Sequence, residues 1–179
     1  MVTEILRDYV EPRAWLGCSA CYSEGKLVGD WFDASDADTI TPEQLHDRPT
    51  SHDEIEVMDH EHLPVSGEPS LQEAAAWGRL IESVDQHLRA AFLAWISTGM
   101  HVTGGDDLPS VDHFIDAYQG EWASFREFSD HQVAATGMLD SVPDEVARYF
   151  DWDQWERDLA MDYTVERSPS GETYVFHNL

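Results

Sequence analysis

Apolar and polar residues in the first third of the chain follow the short patterns of a small antiparallel sheet. Apolar and aromatic runs at 14–22 and 27–32 flank a polar tetrapeptide at 23–26, whose glycine suits a turn with positive φ. These runs predict a hairpin with a four-residue loop. Residues 42–47 open with proline and predict a short helix, and residues 54–58 alternate Glu with apolar residues as a third strand.

The middle of the chain carries the spacing of an amphipathic helix. After a break with proline and glycine at 64–69, Ser70 followed by Glu73 fits a capping box. Apolar residues at 80–96 then recur every three or four positions, which predicts one helix or a helix pair broken near Asp85. We interpret this apolar stripe as core packing.

The last third combines helical signals with a second hairpin. A break at 104–107 precedes four helical segments and two strands, predicted at 111–118, 124–135, 143–150 and 151–158 and at 163–167 and 172–176. This order predicts an α+β fold in an elongated three-part chain. Its parts are an N-terminal α+β domain with a small antiparallel sheet, a central helical domain, and a C-terminal α+β domain with helices and a β-hairpin, at 1–62, 63–105 and 106–179.

Charge changes the picture more than any motif does. The chain has 36 Asp and Glu against 10 Lys and Arg, a formal net charge of −26, together with 7 Trp, 7 Phe and 6 Tyr. A disordered acidic tail has few aromatic residues, so this composition indicates a folded polyanion. The charge is uneven, with 15 acids and 4 bases at 4–61, 4 and 2 at 63–105, and 17 and 4 at 106–179.

So many carboxylates on one folded body repel each other and lower its stability, which suggests that a partner uses them. A dense array of fixed negative charge fits a protein groove built for nucleic acid, so the leading hypothesis is a protein that imitates DNA. Duplex DNA carries one charge per roughly 1.7 Å of axis, so this net charge corresponds to about 13 base pairs. Because direct DNA or RNA binding would meet phosphate repulsion, we exclude it.

The candidate phosphate mimics are the acids of the two strongly charged ends. In the N-terminal part these are Asp30, Asp33, Asp36, Asp38, Asp53, Glu54, Glu56, Asp59 and Glu61. In the C-terminal part they are Asp106, Asp107, Asp112, Asp116, Glu121, Glu127, Asp130, Asp140, Asp144, Glu145, Asp151, Asp153, Glu156, Asp158 and Asp162.

The cysteines and histidines give little sign of a metal site. Cys18 and Cys21 fall in the first predicted strand, where a spacing of three directs their side chains to opposite faces. That placement predicts two ordinary half-buried residues, with neither a disulfide nor a shared metal. The histidines form a weak metal pattern that we interpret as solvated surface, at His46, His52, His60 and His62. We therefore predict no metal and no cofactor.

Catalytic and targeting signals are absent from the sequence. Close carboxylate pairs arise by chance among 36 acids, and there is no phosphate-binding loop, GxSxG elbow or HExxH motif. We predict no catalytic residues and no enzymatic activity. Residues 1–10 lack the pattern of a signal peptide, and the apolar run at 90–96 is far shorter than the ~20 residues of a membrane span. These features predict a cytoplasmic protein with no membrane partner.

Three blocks of sequence in order resemble the ArdA antirestriction proteins. They are WLGCSACYSEGKLVGDWFDA at 15–34, FIDAYQGEW at 114–122, and the YFDW, RDL, DY and YVF segments within 149–176. The resemblance covers most of the chain. It implies an acidic homodimer that occupies the DNA-binding cleft of type I restriction-modification enzymes, is carried by a mobile genetic element, and acts in a bacterial host. It also implies an antirestriction stretch at 132–146. The alternative is an acidic inhibitor of another DNA-binding protein, such as a nucleoid protein or another nuclease.

Overall fold

The computed structural model describes residues 9–101, 103 and 107–178. Both helices and antiparallel sheets are present, so the α+β class is confirmed, with a small sheet near the N-terminus, helices in the middle and a C-terminal sheet with helices. The chain separates into two compact units whose boundary lies between Leu93 and Ala94. The three-part division stays a prediction.

The first unit contains a three-stranded antiparallel sheet. Its strands are β1 (Arg13–Cys18), β2 (Gly29–Asp33) and β3 (Ile55–Glu61), in the order β2-β1-β3. Residues of β1 alternate, because Ala14 and Leu16 are buried in the core while Trp15 is partly exposed on the other face. The central position of β1 explains why its inward face is the most apolar of the three.

One prediction for this sheet was wrong in its details. The two runs do pair as antiparallel strands, with Trp15 opposite Trp31, but a four-residue loop does not join them. Instead β1 ends at Cys18, and helix α1 (Ser19–Ser23) begins with Cys18 as its N-cap. Because Cys18 Sγ accepts the backbone N–H of Cys21, the cap competes with continuation of the strand.

Three helices come next after α1 in the chain. The short helix α2 (Pro42–His46) is confirmed and has a complete capping box, and α3 (Leu71–Ser83) begins at the predicted Ser70 cap. The predicted break near Asp85 is also confirmed, since a 3-10 turn separates α3 from α4 (Arg89–Ser97).

Helix α3 packs very closely on the 3-10 turn Ala34–Asp36. A β-carbon added at Gly78 would lie 2.3 Å from the Ser35 backbone nitrogen. Glycine at this position therefore sets the distance between the helix and the turn, and Ala74 and Ala75 are fully buried on the same helix.

The second unit is built around another three-stranded antiparallel sheet. Its strands are β4 (Tyr118–Trp122), β5 (Tyr163–Arg167) and β6 (Thr173–His177), in the order β4-β6-β5. The central strand β6 is the buried one, and the predicted hairpin of β5 and β6 is confirmed. The described residues after α4 form the helices α5 (Val111–Ala117), α6 (Phe125–Thr136), α7 (Asp144–Ala147) and α8 (Trp152–Leu159).

Strand β4 has no counterpart among the predicted elements. It follows α5 directly and is irregular, because its register with β6 shifts between Tyr118 and Glu121. Gly120 adopts a φ of 105° at this shift, and the Trp122 indole donates a hydrogen bond of 3.0 Å to the Gln119 carbonyl. A strand that is short and bulged leaves no clean alternation in the sequence.

Candidate functional site

The candidate phosphate mimics lie at the surface. Every one within the described residues is exposed except Glu156, which is partly buried. Asp106 lies outside the described residues. Burial would cost a carboxylate its hydration, so these positions leave the charges in contact with solvent and accessible to a partner.

In the first unit, strands β2 and β3 carry acids on either side of β1. Asp30 and Asp33 lie on β2, and Glu56, Asp59 and Glu61 lie on β3. Five charges along a strand of about 23 Å give one per about 4 to 5 Å, roughly a third of the density of a duplex. The sheet therefore needs the acids of the neighbouring loops to approach the charge density of DNA. Those acids are Asp36, Asp38, Asp53 and Glu54.

The first sheet has a groove of about 510 Å³ that is lined by both aromatic residues and carboxylates. Trp15 and Trp31 lie in its floor, and Glu56, Asp59 and Glu68 line it. Glu68 was missed at the sequence level because it belongs to the weakly charged middle of the chain. Its proximity to the two acids of β3 arises from the tertiary fold.

Basic residues neutralise part of this surface. Arg13 stands opposite both Asp33 and Glu61 in the sheet register, and its guanidinium lies 5.5 Å from the centre of the Trp31 ring. Arg79 forms an ion pair with Asp38. Asp38 is therefore a weaker candidate for partner contact than its neighbour Asp36.

In the second unit, one arginine collects three of the candidate acids. Arg126 on α6 contacts Asp130 at 2.9 Å, Asp153 at 2.9 Å and Glu156 at 3.2 Å. Hydrogen bonding to Asp153, followed by bonds to the other two acids, raises the pKa of the guanidinium. This cluster joins α6 to α8, so these acids have a structural role as well as an exposed position.

The remaining acids of the second unit are spread over its helices and turns. Their carboxylates form no ion pair within the described part of the chain, and they include Asp107, Asp112, Asp116, Glu121, Glu127, Asp140, Asp144, Glu145, Asp151, Asp158 and Asp162. Four of them accept local hydrogen bonds: Glu127 from the backbone N–H of Ala123, Asp151 from the backbone N–H of Gln154 as the cap of α8, Glu121 from the Ser170 hydroxyl, and Asp158 from the Gln154 side-chain amide. The stretch at 132–146 comprises the end of α6, a run of turns and the start of α7.

The placement predicted for the cysteines was wrong. Cys18 and Cys21 are both fully buried and lie on the same side of the strand–helix junction, with their Sγ atoms 3.3 and 3.4 Å from Nδ1 of His52. His46 completes a group in which four ligand atoms lie within 4.8 Å of one another. Burial, together with a hydrogen bond that the Cys21 thiol donates to Cys18, raises the pKa of the Cys21 thiol. The spacings C-x₂-C and H-x₅-H were the available signal.

The other two histidines of the weak metal pattern have backbone partners. His60 Nε2 lies 3.2 Å from the Gly67 carbonyl, and His62 Nδ1 lies 2.7 Å from the Glu11 carbonyl. They do not join the cysteine–histidine group.

Fold and surface together define an acidic α+β protein whose charged groups lie outside two small cores. The family model described as "Antirestriction protein (ArdA)" matches residues 14–174, and the chain belongs to this family. Members of the family are non-catalytic antirestriction proteins. A comparison with curated individual proteins gave no match.

No helix among the described residues combines the length and the apolar character that crossing a membrane requires.

Proposed function

We propose that this protein is a DNA mimic that binds the DNA-binding cleft of type I restriction-modification enzymes and inhibits DNA cleavage by competing with DNA. Methylation by the same enzymes is blocked for the same reason, since both activities need DNA in the cleft. The protein acts in the cytoplasm of a bacterial host into which a mobile element has brought it.

The observation that carries the proposal is the exposure of the candidate acids. A carboxylate replaces a phosphate only if a basic groove can approach it, and the described candidates lie at the surface with few cations beside them. Membership of an antirestriction family supplies the class of target.

The proposal assigns binding to the candidate acids as a group and not to one residue. An exposed ion pair contributes about 0.2–1 kcal/mol, so an array of such contacts binds tightly only as a sum. The groove on the first sheet adds apolar contact area between the charges, through Trp15 and Trp31. The acids held by Arg126 contribute less per group, because their charge is partly neutralised.

The proposed partners also include a second copy of this chain, with which the protein forms a homodimer. A homodimer doubles the number of acids presented to one enzyme, which increases the length of DNA that the inhibitor imitates. Light scattering on the purified protein at low and moderate salt measures its mass, and we expect twice the 20.3 kDa of the chain.

The decisive experiment titrates the protein into a type I enzyme that is cleaving unmodified DNA. We expect stoichiometric inhibition that added DNA duplex reverses, and affinity that falls at least about tenfold between low and moderate salt, as for phosphate contacts. Inhibition that DNA does not reverse would exclude competition for the cleft. Binding to a nucleoid protein or another nuclease, with no effect on a type I enzyme, would favour the alternative target.

A further inference from the structure

Four side chains with metal-binding atoms converge at the margin of the first unit's core. Cys18 ends β1 and Cys21 lies in α1, while His46 is the last residue of α2 and His52 precedes β3. One ligand atom from each lies within 4.8 Å of the others. Two parts of the chain more than twenty residues apart meet here, so the cluster is a product of the tertiary fold.

Two of the distances in this cluster match edges of a zinc tetrahedron. Bonds of about 2.3 Å to sulfur and 2.0–2.1 Å to nitrogen place neighbouring sulfur and nitrogen ligands about 3.5 Å apart. Nδ1 of His52 lies 3.3 Å from one cysteine sulfur and 3.4 Å from the other. The His46 and His52 rings meet edge to face, with centroids 5.4 Å apart, so both can direct a nitrogen to one point.

His46 provides a second and independent observation. Its Nε2 atom is buried and has no hydrogen-bond partner within the described part of the chain. An unsatisfied buried nitrogen is unfavourable, and a bond to a metal through this atom would satisfy it. The backbone N–H of Cys21, 3.4 Å from Cys18 Sγ, is the kind of donor that stabilises a metal-bound thiolate.

We propose that Cys18, Cys21, His46 and His52 bind one zinc ion in a closed structural site. Two sulfur and two nitrogen ligands at C-x₂-C and H-x₅-H spacing are a donor set that zinc prefers. Binding releases one proton from each thiol as it becomes a thiolate. Because all four positions are filled by the protein, the ion has no open position for a substrate.

The zinc ion connects the start of α1 to the loop between α2 and β3. That loop carries Asp53 and Glu54, two of the candidate phosphate mimics, immediately after His52. The metal therefore stabilises the segment that positions these acids.

The test uses the untagged full-length chain, purified under reducing conditions with zinc and dialysed against a weak chelator. Mass spectrometry of the metal content should give about one zinc per chain. Cobalt should replace zinc and give the visible absorption of a tetrahedral ion together with thiolate-to-cobalt charge-transfer bands. Cys21→Ser and His52→Gln should each reduce bound zinc at least tenfold, as expected for loss of one of four ligands.

His60→Gln is the matched control, because it removes a nearby histidine that has a backbone partner, and it should retain the zinc. Zinc that survives both ligand substitutions would place the ion on the acidic surface and overturn the proposal. If the ligand variants fail to fold, the wild-type protein decides: cobalt spectra without thiolate charge transfer would overturn the site. Inhibition of a type I enzyme is measured separately and tests only the proposed function.

Discussion

Arg126 illustrates how a single cation can hold a highly acidic unit together. Three carboxylates from α6 and α8 surround its guanidinium, and the Asp153 and Glu156 contacts come from the helix that packs against α6. Without the cation, these carboxylates would repel each other at short range. The residue therefore stabilises the fold while lowering the charge available to a partner.

Replacing Arg126 with Gln should lower the urea midpoint at neutral pH and low salt, by an amount limited by the partial exposure of the side chain. Arg148→Gln is the matched control, since within the described part of the chain Arg148 donates to the Asp144 carbonyl and forms no ion pair, and it should change the midpoint much less. Urea unfolding measures both. The loss of stability in Arg126→Gln should become smaller below pH ~4, where carboxylates protonate. Equal losses of stability in the two variants would contradict a stabilising role for the Arg126 cluster.

Gly78 controls packing in the first unit by having no side chain. The α3 helix approaches the backbone of Ala34 and Ser35 so closely that a β-carbon would overlap it. Gly78→Ala should therefore cost about 1–3 kcal/mol, although alanine is the better helix former. Gln72→Ala, at an exposed position of the same helix, should be nearly neutral. Denaturant midpoints measure both variants. If Gly78→Ala is more stable than the wild type, the Ala34–Asp36 turn can move away from the helix at little cost.

At the scale of elements, the sequence predicted most helices and both hairpin pairings, because caps and alternation are local signals. Ser70, Thr41 and Asp151 cap helices at or next to the predicted starts. The failures had one local cause and one tertiary cause. The Cys18 side chain caps helix α1, although the apolar run predicts that the strand continues. Strand β4 was not predicted because it depends on its pairing with β6.

The same limit applies to the candidate sites. Exposure of the acids could be predicted, because charged side chains rarely tolerate burial. The approach of Cys18 and Cys21 to His46 and His52 could not, because it depends on where α2 packs. The position of Glu68 in the acidic groove could not be predicted either, because it also depends on tertiary packing.

The second sheet has a pH dependence of its own, because two tyrosines beside the central strand β6 resist ionisation. Tyr118 pairs with Phe176, and Tyr163 pairs with His177. Burial, with a smaller effect from the charge of Glu121 or Asp162, raises the pKa of each phenol above its ordinary value of 10.0. Since the fold favours the neutral phenols, their contribution is complete below the unfolded pKa and is lost as pH rises through the folded one.

The stability of the protein should therefore fall above pH ~10, and a Tyr118→Phe, Tyr163→Phe double variant should lose less of it. The other tyrosines, the two cysteines and the one lysine are unchanged in this variant, so the comparison with the wild type isolates the two phenols. Tyr22→Phe with Tyr149→Phe is the matched control, because those side chains are 65% and 84% exposed. The comparison uses urea midpoints at pH 8 and about 10.5. If the Tyr118→Phe, Tyr163→Phe variant loses as much stability as the wild type between these two pH values, the two phenols are not the cause of the loss.

At the scale of the molecule, the arrangement of charge has to be separated from its amount. A net charge of −26 would attract any basic protein, whereas a DNA mimic must place its charges where a cleft expects phosphates. Two sets of four exposed acids in the first unit allow the comparison at equal charge. One set consists of candidate acids, Asp30, Asp33, Glu56 and Asp59, and the other of acids that are not candidates, Glu43, Asp47, Glu73 and Asp85.

Neutralising the candidate set to Asn and Gln should weaken inhibition of a type I enzyme at least about tenfold, because four contacts of about 0.5 kcal/mol each sum to roughly 2 kcal/mol. The control set should weaken it less than about threefold, through the loss of long-range attraction alone. Asp59→Asn by itself should change the inhibition constant less than about threefold, as one screened contact. Equal losses of inhibition from the two sets would mean that net charge alone drives binding. Complete loss of inhibition in Asp59→Asn would indicate a local site. Either result would contradict a distributed imitation of DNA.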